Sequence, residues 1–193
     1  MTKAELRQIY REKRRRLTAL ELDRKSRSVA HSLFSSLNIG STDTIHCFIS
    51  IHRLHEIDTS MIFRRLWSDF PAVRTLAPQI ETATGELLSI SVTAETSLLP
   101  GGFGINEPAG LTTVPPTDID IAIIPLLCFD REGHRVGYGK GFYDRFLSTC
   151  RSDCTKVGLS HFAPIDKISD AGPHDIPLDI CFTADGAYAF NPV

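Results

Sequence analysis

The sequence lacks several features, and each absence excludes a class of protein. Its five cysteines are odd in number and form no C-x-x-C pair, which argues against a disulfide framework and favours reduced thiols. No apolar stretch approaches the roughly 20 residues that span a bilayer, and the amino terminus carries no apolar signal-peptide segment. The formal net charge of -2 supplies no global field for nucleic acid or anionic lipid. We therefore expect a cytoplasmic protein that binds neither nucleic acid nor membrane.

The composition that remains fits one ordinary soluble domain. The chain has 193 residues, of which 42% are hydrophobic and 23% are charged, and this is enough to bury a substantial core. No internal repeat, low-complexity tract or linker divides it. The sequence therefore predicts a single domain over residues 1–193, and we expect a monomer.

Helix and strand patterns alternate along the chain. Thr2-x-x-Glu5 and Thr18-x-x-Glu21 are capping boxes that predict two helix starts, and further helices are predicted near residues 59–68 and after the glycine at 141. Strand-like runs occur at TIHCFIS, VRTLAP, LLSISVT, DIAIIP, KVGLSHF and DICFTA. The continuous apolar residues 121–124 predict a strand covered on both faces, as in a parallel sheet. The pattern predicts an α/β fold, a three-layer α/β/α sandwich with a mostly parallel sheet, and a surface loop over residues 98–117.

Two groups of basic residues near the amino terminus lead to different interpretations. The run KRRR at residues 13–16 has no interleaved aromatics, which favours a solvated helix face over a nucleic-acid site. Lys3 and Arg7 are four residues apart and project from one side of the first helix. At that spacing the two cations could meet a polyphosphate or could be ordinary surface residues.

The segment RVGYGKGFYDRFL, residues 135–147, combines three glycines with a lysine and a carboxylate. Such glycines let the backbone approach an anion, and the helix that follows offers the positive end of its dipole. Ligands of open α/β sheets bind beyond the carboxyl ends of the strands, and this segment closely follows the DIAIIP strand. It matches neither common phosphate-loop pattern, so Asp144 is the nearest candidate for a magnesium ligand. The alternative is a flexible turn that enters a helix.

The wider segment DIDIAIIPLLCFDREGHRVGYGKGFYDRFL resembles the signature region of the 5-formyltetrahydrofolate cyclo-ligase (methenyltetrahydrofolate synthetase) family. Five further family features occur in order: K-x-x-x-R at Lys3 and Arg7, E-[IV]-D-T at residues 56–59, a strand-terminal proline at Pro78, G-F-G-I-x-E-P at residues 102–108, and H-D-x-x-x-D at residues 174–179. The resemblance thus extends over nearly the whole chain.

The resemblance implies an ATP- and magnesium-dependent ring closure on a folate. In this family ATP phosphorylates the formyl oxygen of 5-formyltetrahydrofolate, the neighbouring arylamine nitrogen attacks the activated carbon, and phosphate departs to leave 5,10-methenyltetrahydrofolate. An amide oxygen is a poor leaving group, so activation by phosphate supplies what the ring closure lacks. ATP is therefore expected as co-substrate, with release of ADP, and Mg2+ as cofactor.

The resemblance also implies roles for individual residues. The residues expected at the ATP are Lys3, Arg7, Arg135, Val136, Gly137, Tyr138, Gly139, Lys140, Gly141, Phe142 and Tyr143. Within this set, the residues expected to be catalytic are Lys140, Arg135 and Tyr143. Ile49, Glu56 and Tyr138 are expected at the folate, where the carboxylate of Glu56 would accept hydrogen bonds from the pterin. Asp144 and Asp175 are expected to hold the magnesium.

Some residues and functions stay open at this point. Asp130 could be a further catalytic carboxylate or a turn residue before Gly133. Cys150 and Cys154 could chelate a metal if His161 came near, although a structural role suits His161 better. The competing functions are a sugar-phosphate isomerase or acyl-transferase on a similar sheet, and a nucleotide-binding module without catalysis.

Overall fold

Both capping boxes begin a helix in the computed structural model, which describes residues 1–102, 105–110 and 112–190. Helix α1 is Lys3–Arg15 and helix α2 is Ala19–Ser36, and in each the cap threonine and the glutamate three residues later exchange hydrogen bonds. Helix α3 is Ser60–Asp69 and helix α4 is Phe142–Thr149, which confirms the two further helix predictions. Within the described residues, no helix is both long enough and apolar enough to span a membrane.

The described residues also form twelve strands, and eight of them make one sheet. In chain order the strands are β1 (Thr44–Cys47), β2 (Arg74–Ile80), β3 (Leu87–Ser91), β4 (Leu98–Pro100), β5 (Asn106–Pro108), β6 (Thr113–Val114), β7 (Ile121–Pro125), β8 (Cys128–Phe129), β9 (Arg135–Val136), β10 (Thr155–Leu159), β11 (Ile180–Thr183) and β12 (Gly186–Ala189). The order across the main sheet is β12-β11-β10-β7-β1-β2-β3-β6. The five central strands pair in parallel, and the strands beyond them pair antiparallel.

Apolar side chains cover this sheet on both faces. In β7, Ile121 and Ile123 belong to a core that includes residues of α2 and α3. Ala122 and Ile124 belong to a second core that includes Phe146 of α4. The burial of both faces confirms the prediction for residues 121–124 and the three-layer α/β/α sandwich with a mostly parallel sheet.

The prediction of a surface loop over residues 98–117 is wrong for much of that segment. Strands β4 and β5 pair as an antiparallel hairpin, and β6 extends the edge of the main sheet. These strands are two or three residues long, too short to give a readable period in a Gly- and Pro-rich stretch. The family pattern at residues 102–108 falls partly on Phe103 and Gly104, which lie outside the described residues.

Helix α1 packs beside a small antiparallel hairpin formed by β8 and β9. Leu6 and Tyr10 of α1 share a third apolar cluster with Cys128 and Val136 of this hairpin. Strand β9 leads directly into residues 137–141, which we call the glycine-rich segment. The packing therefore brings the amino-terminal helix next to that segment.

The sequence predicts that the basic run at residues 13–16 is a solvated helix face, and this is wrong for one of the four residues. Arg14 is only 2% exposed, whereas the other three residues are exposed. Its guanidinium donates hydrogen bonds to the hydroxyl of Tyr138 and to the carbonyl of Leu126. These interior partners explain how a cation from a charged run is buried.

The hypothesis of a metal held by Cys150, Cys154 and His161 is wrong. Cys150 caps the end of α4, Cys154 precedes β10, and His161 follows the other end of that strand. Among the described residues, the side chains close enough to share an ion do not include these three. The ring of His161 is buried and bonds to the carbonyl oxygen of His55 at 2.9 Å, which is a structural role.

Candidate active site

A cavity of about 520 Å³ opens at the carboxyl ends of the parallel strands. Ile49 beyond β1, Ile80 at the end of β2 and Pro125 at the end of β7 contribute to its wall, where an α/β sheet is expected to bind its ligand. All but one of the predicted site residues line this cavity: Lys3, Arg7, Ile49, Glu56, Arg135, Gly137, Tyr138, Gly139, Lys140, Gly141, Phe142, Tyr143, Asp144 and Asp175.

Val136 is the exception. Its side chain is fully buried and packs with Leu6 and Tyr10 of α1. Its carbonyl oxygen accepts a hydrogen bond from the backbone N–H of Leu127 at 2.7 Å. This valine therefore fixes the start of the glycine-rich segment and does not line the cavity.

Two glycines of the glycine-rich segment adopt backbone conformations that are unfavourable for any residue with a Cβ atom. Gly139 has φ 95° and Gly141 has φ 68°, both in the left-handed region. A Cβ atom on Gly139 would lie 3.2 Å from the guanidinium carbon of Arg7, and Arg7 Nε donates to the carbonyl of Gly137 at 2.9 Å. Gly141 is the N-cap of α4, so the first turn of that helix lies at the cavity wall, where its dipole favours an anion.

Three cations of α1 line the cavity at intervals of four residues: Lys3, Arg7 and Arg11. Arg11 was not predicted as a site residue, although it continues the spacing of Lys3 and Arg7. Arg11 Nη2 lies 3.5 Å from the carbonyl oxygen of Tyr138, and Lys140 adds a further positive charge to the cavity wall. A wall with this many cations suits a polyphosphate.

The two predicted metal ligands line the same cavity, and each forms an ion pair there. Asp144 Oδ1 accepts a hydrogen bond from Arg135 Nη2 at 2.7 Å. Asp175 Oδ2 accepts from Lys3 Nζ and from the N–H of Gly172. Burial alone would raise the pKa of Asp175, but the hydrogen bonds from Lys3 and Gly172 lower it overall. These contacts engage one oxygen of each carboxylate, so the other oxygen is available to a hard cation such as magnesium.

Arg135 is buried, with 8% exposure, beside one of these carboxylates. Its guanidinium donates to Asp144 and to the carbonyl of Ile176. Burial lowers the pKa of Arg135, and the Asp144 charge opposes this effect. Since arginine remains protonated in proteins, Arg135 both orients Asp144 and adds fixed positive charge to the cavity wall.

Glu56 supplies a buried hydrogen-bond acceptor, with 7% exposure. Its Oε1 accepts from the hydroxyl of Tyr138 at 2.5 Å, and its Oε2 accepts from the N–H of Ile51 at 2.7 Å. Burial raises the pKa of Glu56, and the hydrogen bonds from Tyr138 and Ile51 oppose this only in part. Each carboxylate oxygen can accept a second hydrogen bond, so Glu56 can still receive donors from a flat heterocycle.

Tyr143 lies in the first turn of α4 and packs against both cores. Its hydroxyl is 3.5 Å from Nε2 of His46, whose Nδ1 lies 2.9 Å from Ser89 Oγ. Burial lowers the pKa of His46 to about 3, so this imidazole is neutral. Burial also raises the pKa of Tyr143, so its hydroxyl stays protonated. Tyr143 therefore lines the cavity, while its protonated hydroxyl lies 3.5 Å from a neutral histidine of the core.

Asp130 has a structural role. It is completely buried and does not line the cavity. Its Oδ1 accepts from the N–H groups of Glu132 and His134 at 3.0 and 2.9 Å, and its Oδ2 accepts from the N–H of Ile168 at 3.0 Å. Of the two interpretations that the sequence left open, the turn residue is the one that the structure supports.

Two further charged residues line the cavity but were not predicted as site residues. Arg53 stands in the short helix His52–Leu54, and Glu107 stands in β5. Glu107 is 8% exposed, and its Oε1 accepts from the N–H of Ile80 at 3.3 Å. Arg53 lies in a polar connection where charged residues are ordinary, so nothing in the sequence marked it. Glu107 is the glutamate of the G-F-G-I-x-E-P pattern, but no individual role was predicted for it.

A second cavity of about 290 Å³ shares Ile49 with the first. Phe63, Trp67 and Val92 line it, together with Arg64. It therefore offers a mainly apolar space beside the main cavity, with the charged side chains of Arg64 and Asp58 in its wall.

The fold and the cavity define an α/β enzyme in which a cationic, glycine-rich segment stands beside a buried acceptor carboxylate. A sequence profile of the 5-formyltetrahydrofolate cyclo-ligase family matches residues 1–184. The chain belongs to that family, which confirms the resemblance seen in its motifs.

Individual relatives agree with this membership. The chain is 28% identical over 179 residues to the 5-formyltetrahydrofolate cyclo-ligase of Escherichia coli K12, covering 91% of this chain and 96% of that protein. It is 39% identical over 69 residues to the protein of the same name from Mycoplasma genitalium, covering 35% of this chain and 42% of that protein. The NMR structure of Aquifex aeolicus 5,10-methenyltetrahydrofolate synthetase aligns with a TM-score of 0.79 at 29% identity, covering 100% of this chain and 95% of that one. The α/β fold is therefore shared along the whole chain.

Proposed function

We propose that this chain catalyses the ATP- and magnesium-dependent cyclisation of 5-formyltetrahydrofolate to 5,10-methenyltetrahydrofolate, with release of ADP and phosphate. One observation carries the proposal: the cationic, glycine-rich segment and the buried acceptor carboxylate of Glu56 open onto one cavity. A polyphosphate and a flat heterocycle rich in N–H donors can therefore meet there. Family membership and the names of the relatives support the same reaction.

The chemistry proceeds in two steps. The formyl oxygen attacks the γ-phosphorus of ATP, the bond to ADP breaks, and a phosphorylated formyl group forms. The neighbouring arylamine nitrogen then attacks the formyl carbon and loses its proton, and the carbon–oxygen bond breaks to release phosphate. Phosphoryl transfer and ring closure both depend on holding the reacting groups close, and binding of both substrates in a single cavity would hold them so.

The polyphosphate lies against the glycine-rich segment and α1 in this proposal. Lys3 and Arg7 contact the phosphates from the helix, and Gly137 and Gly139 allow close approach of the backbone. Lys140 neutralises the phosphoryl group as it transfers, a contact that is stronger in the transition state than in the ground state. Arg135 and Tyr143 line the same wall and complete the predicted catalytic set.

Asp144 and Asp175 would hold the magnesium ion. A bound magnesium ion would supply positive charge that offsets the negative charge of the phosphates during transfer. Arg135 and Lys3 orient the two carboxylates through the ion pairs that they form with them. The chain thus supplies oxygen ligands whose positions are fixed by cations on β9 and α1.

The folate lies with its pterin ring against Glu56. The buried carboxylate accepts the ring N–H and amino donors, while Ile49 and Tyr138 form part of the wall. The benzoyl-glutamate end passes Ile49 into the second cavity, where Arg64 matches its carboxylate. This arrangement directs the formyl group toward the glycine-rich segment.

An oxygen-isotope experiment tests the phosphorylated intermediate. The enzyme is supplied with 5-formyltetrahydrofolate that carries ¹⁸O in the formyl group, together with ATP and Mg2+. We expect the label to appear in the released inorganic phosphate, one atom per turnover, because the formyl oxygen leaves with that phosphate. Product formation with unlabelled phosphate would contradict the intermediate, and ATP binding without any turnover would favour a nucleotide-binding module that lacks catalysis.

A further inference from the structure

Arg14 is buried although its neighbours in the run at residues 13–16 are not. Its exposed fraction is 2%, whereas the side chains of Arg15 and Arg16 are both 77% exposed. A buried guanidinium is costly unless other groups compensate its charge. No hydrogen bond joins it directly to a carboxylate among the described residues: Nη1 donates to the hydroxyl of Tyr138 at 2.9 Å, and Nη2 donates to the carbonyl of Leu126. The charge of Arg14 nevertheless acts on a buried carboxylate, since burial raises the pKa of Glu56 and the Arg14 charge opposes that rise.

The donor rules fix the direction of the hydrogen bonds at Tyr138. A guanidinium can only donate, so the phenolic oxygen accepts from Arg14. The single proton of that hydroxyl is then free to donate to Glu56 Oε1, which lies 2.5 Å away. The three side chains form a chain from cation to hydroxyl to carboxylate, and the two charged members are both buried. Linked hydrogen bonds of this kind polarise one another, especially away from water.

Tyr138 also connects Glu56 to the glycine-rich segment, because Tyr138 stands between Gly137 and Gly139. Its own carbonyl lies within reach of Arg11, and the carbonyl of Gly137 accepts from Arg7. Arg14 is the residue of α1 that donates a hydrogen bond to the hydroxyl of Tyr138, whereas the guanidinium of Arg11 lies over the Tyr138 ring at 6.0 Å from its centroid.

We propose that Arg14 is a positioning residue for the folate, acting on Glu56 through the hydroxyl of Tyr138. The inference rests on the proposed role of Glu56 as the acceptor for the pterin. Arg14 directs the Tyr138 proton toward Oε1, so that the carboxylate keeps a fixed orientation with its remaining lone pairs turned to the substrate. Lysine cannot replace it, because one ammonium group lacks the rigid fork that reaches Tyr138 and Leu126 together.

A double-mutant cycle between Arg14→Lys and Tyr138→Phe tests the proposal. We expect each single variant to raise the KM for 5-formyltetrahydrofolate about three- to tenfold, the scale of one lost hydrogen bond. The kcat and the KM for ATP should stay within about twofold, because the lost interaction acts on folate binding alone. The double variant should be no worse than the poorer single variant. KM effects that multiply in the double variant, or an unchanged folate KM in Arg14→Lys, would overturn the proposal.

Arg15→Gln is the matched control, because Arg15 is an exposed arginine of the same helix, and all its kinetic constants should remain unchanged. If Arg14→Lys does not fold, a cycle between Tyr138→Phe and Glu56→Gln takes its place, and additive effects on folate KM there would refute the hydroxyl link. The Glu56→Gln variant alone separates the role of Glu56 in folate binding from the positioning role of Arg14. An unchanged folate KM in Glu56→Gln would refute the role of Glu56 itself, whereas a raised KM there with a normal Arg14→Lys would refute only the positioning role.

Discussion

At the residue scale, most side chains of the cavity are oriented by partners that are distant in the sequence. Lys3 pairs with Asp175, and the hydroxyl of Tyr138 bonds to Glu56. Arg135 and Asp144 are closer along the chain but belong to different elements, β9 and α4. Each pair joins a cation or a donor to a carboxylate, so losing one member also removes a hydrogen bond from its partner.

Lys140 is expected to act on the transferring phosphoryl group. The Lys140→Ala variant should lower kcat by about a hundredfold or more, the scale of losing a contact that stabilises charge in the transition state. Its folate KM should change little. Lys167→Ala is a suitable control, since Lys167 is a 65% exposed lysine that pairs with Glu132 outside the cavity. Normal turnover in a folded Lys140→Ala protein would exclude the catalytic role.

The carboxylates are expected to divide between metal and folate. Asp144→Asn should raise the magnesium concentration needed for half-maximal rate, with folate binding largely retained. Glu56→Gln should instead weaken folate binding about ten- to hundredfold, because a hydrogen bond to a charged acceptor is lost. Separate titrations with folate and with magnesium-ATP distinguish the two effects. The reverse pattern would show that the assignment of Asp144 to the metal and Glu56 to the folate is wrong. Asp166→Asn serves as the control, because the side chain of Asp166 is 95% exposed.

The raised pKa of Glu56 gives a prediction about pH. Burial favours the neutral carboxyl, and only the ionised form offers its full acceptor strength to the pterin. As pH falls from neutrality, folate affinity should therefore begin to decline at a higher pH than an unperturbed glutamate would cause, and Glu56→Gln should lack this component. A group with a raised pKa binds its proton more readily in the folded state, so this protonation does not itself destabilise the fold. The same pH dependence of folate affinity in the unmodified protein and in Glu56→Gln would contradict the prediction.

Sequence motifs predicted which side chains line the cavity better than they predicted the residues that support those side chains. Lys3, Arg7, Glu56, Asp144 and Asp175 occupy recognisable motifs, and all five line the cavity. The burial of Arg14 could not be foreseen, because its neighbours in the run are chemically alike and only the docking of α1 selects one of them. The same holds for Arg53 and Glu107, whose surroundings form only when the whole chain is folded.

At the element scale, α1 is both a structural cover and one wall of the cavity. Leu6 and Tyr10 pack against the β8–β9 hairpin, while Lys3, Arg7 and Arg11 line the cavity. The first turn is held by the capping box and by the hydrogen bond from the N–H of Lys3 to Asp170 Oδ1 at 2.7 Å. The position of Lys3 therefore depends on the integrity of that turn.

The two capping boxes provide a matched test of this dependence. Thr2→Ala and Thr18→Ala should each destabilise the protein by about 1 kcal/mol, because each removes one N-cap hydrogen bond. Only Thr2→Ala should also raise the KM for ATP, since α1 carries Lys3 and Arg7 whereas α2 does not line the cavity. Thermal unfolding and ATP titration measure the two effects. Equal ATP KM values in both variants would show that the first turn of α1 does not position the phosphate contacts.

Elements with strong local signals were predicted well, and short ones were not. The two capping boxes, the continuous apolar run of β7 and the helix after Gly141 each depend on residues close in sequence. Strands such as β4, β5, β8 and β9 are two or three residues long, and their pairing depends on contacts between segments rather than on a local period. The hairpin that carries Glu107 to the cavity was missed for this reason.

At the scale of the whole molecule, the parallel sheet brings distant motifs to one edge. The carboxyl ends of β1, β2 and β7 reach the same cavity as α1 and α4. This convergence follows from α/β alternation, so the location of the site was predictable even though its detailed walls were not. In the proposed function, this one cavity receives both substrates of the ATP-driven ring closure.

The most direct test of this account is the absorbance of 5,10-methenyltetrahydrofolate, followed in parallel with ADP release by the purified protein. With 5-formyltetrahydrofolate, ATP and Mg2+ all present, we expect product and ADP to accumulate in equal amounts. Omission of ATP or Mg2+ should abolish both signals, and omission of the folate should abolish ADP release. Methenylfolate formed by the protein without ATP, or ADP released at the full rate without folate, would contradict the claim that one cavity couples phosphoryl transfer to ring closure.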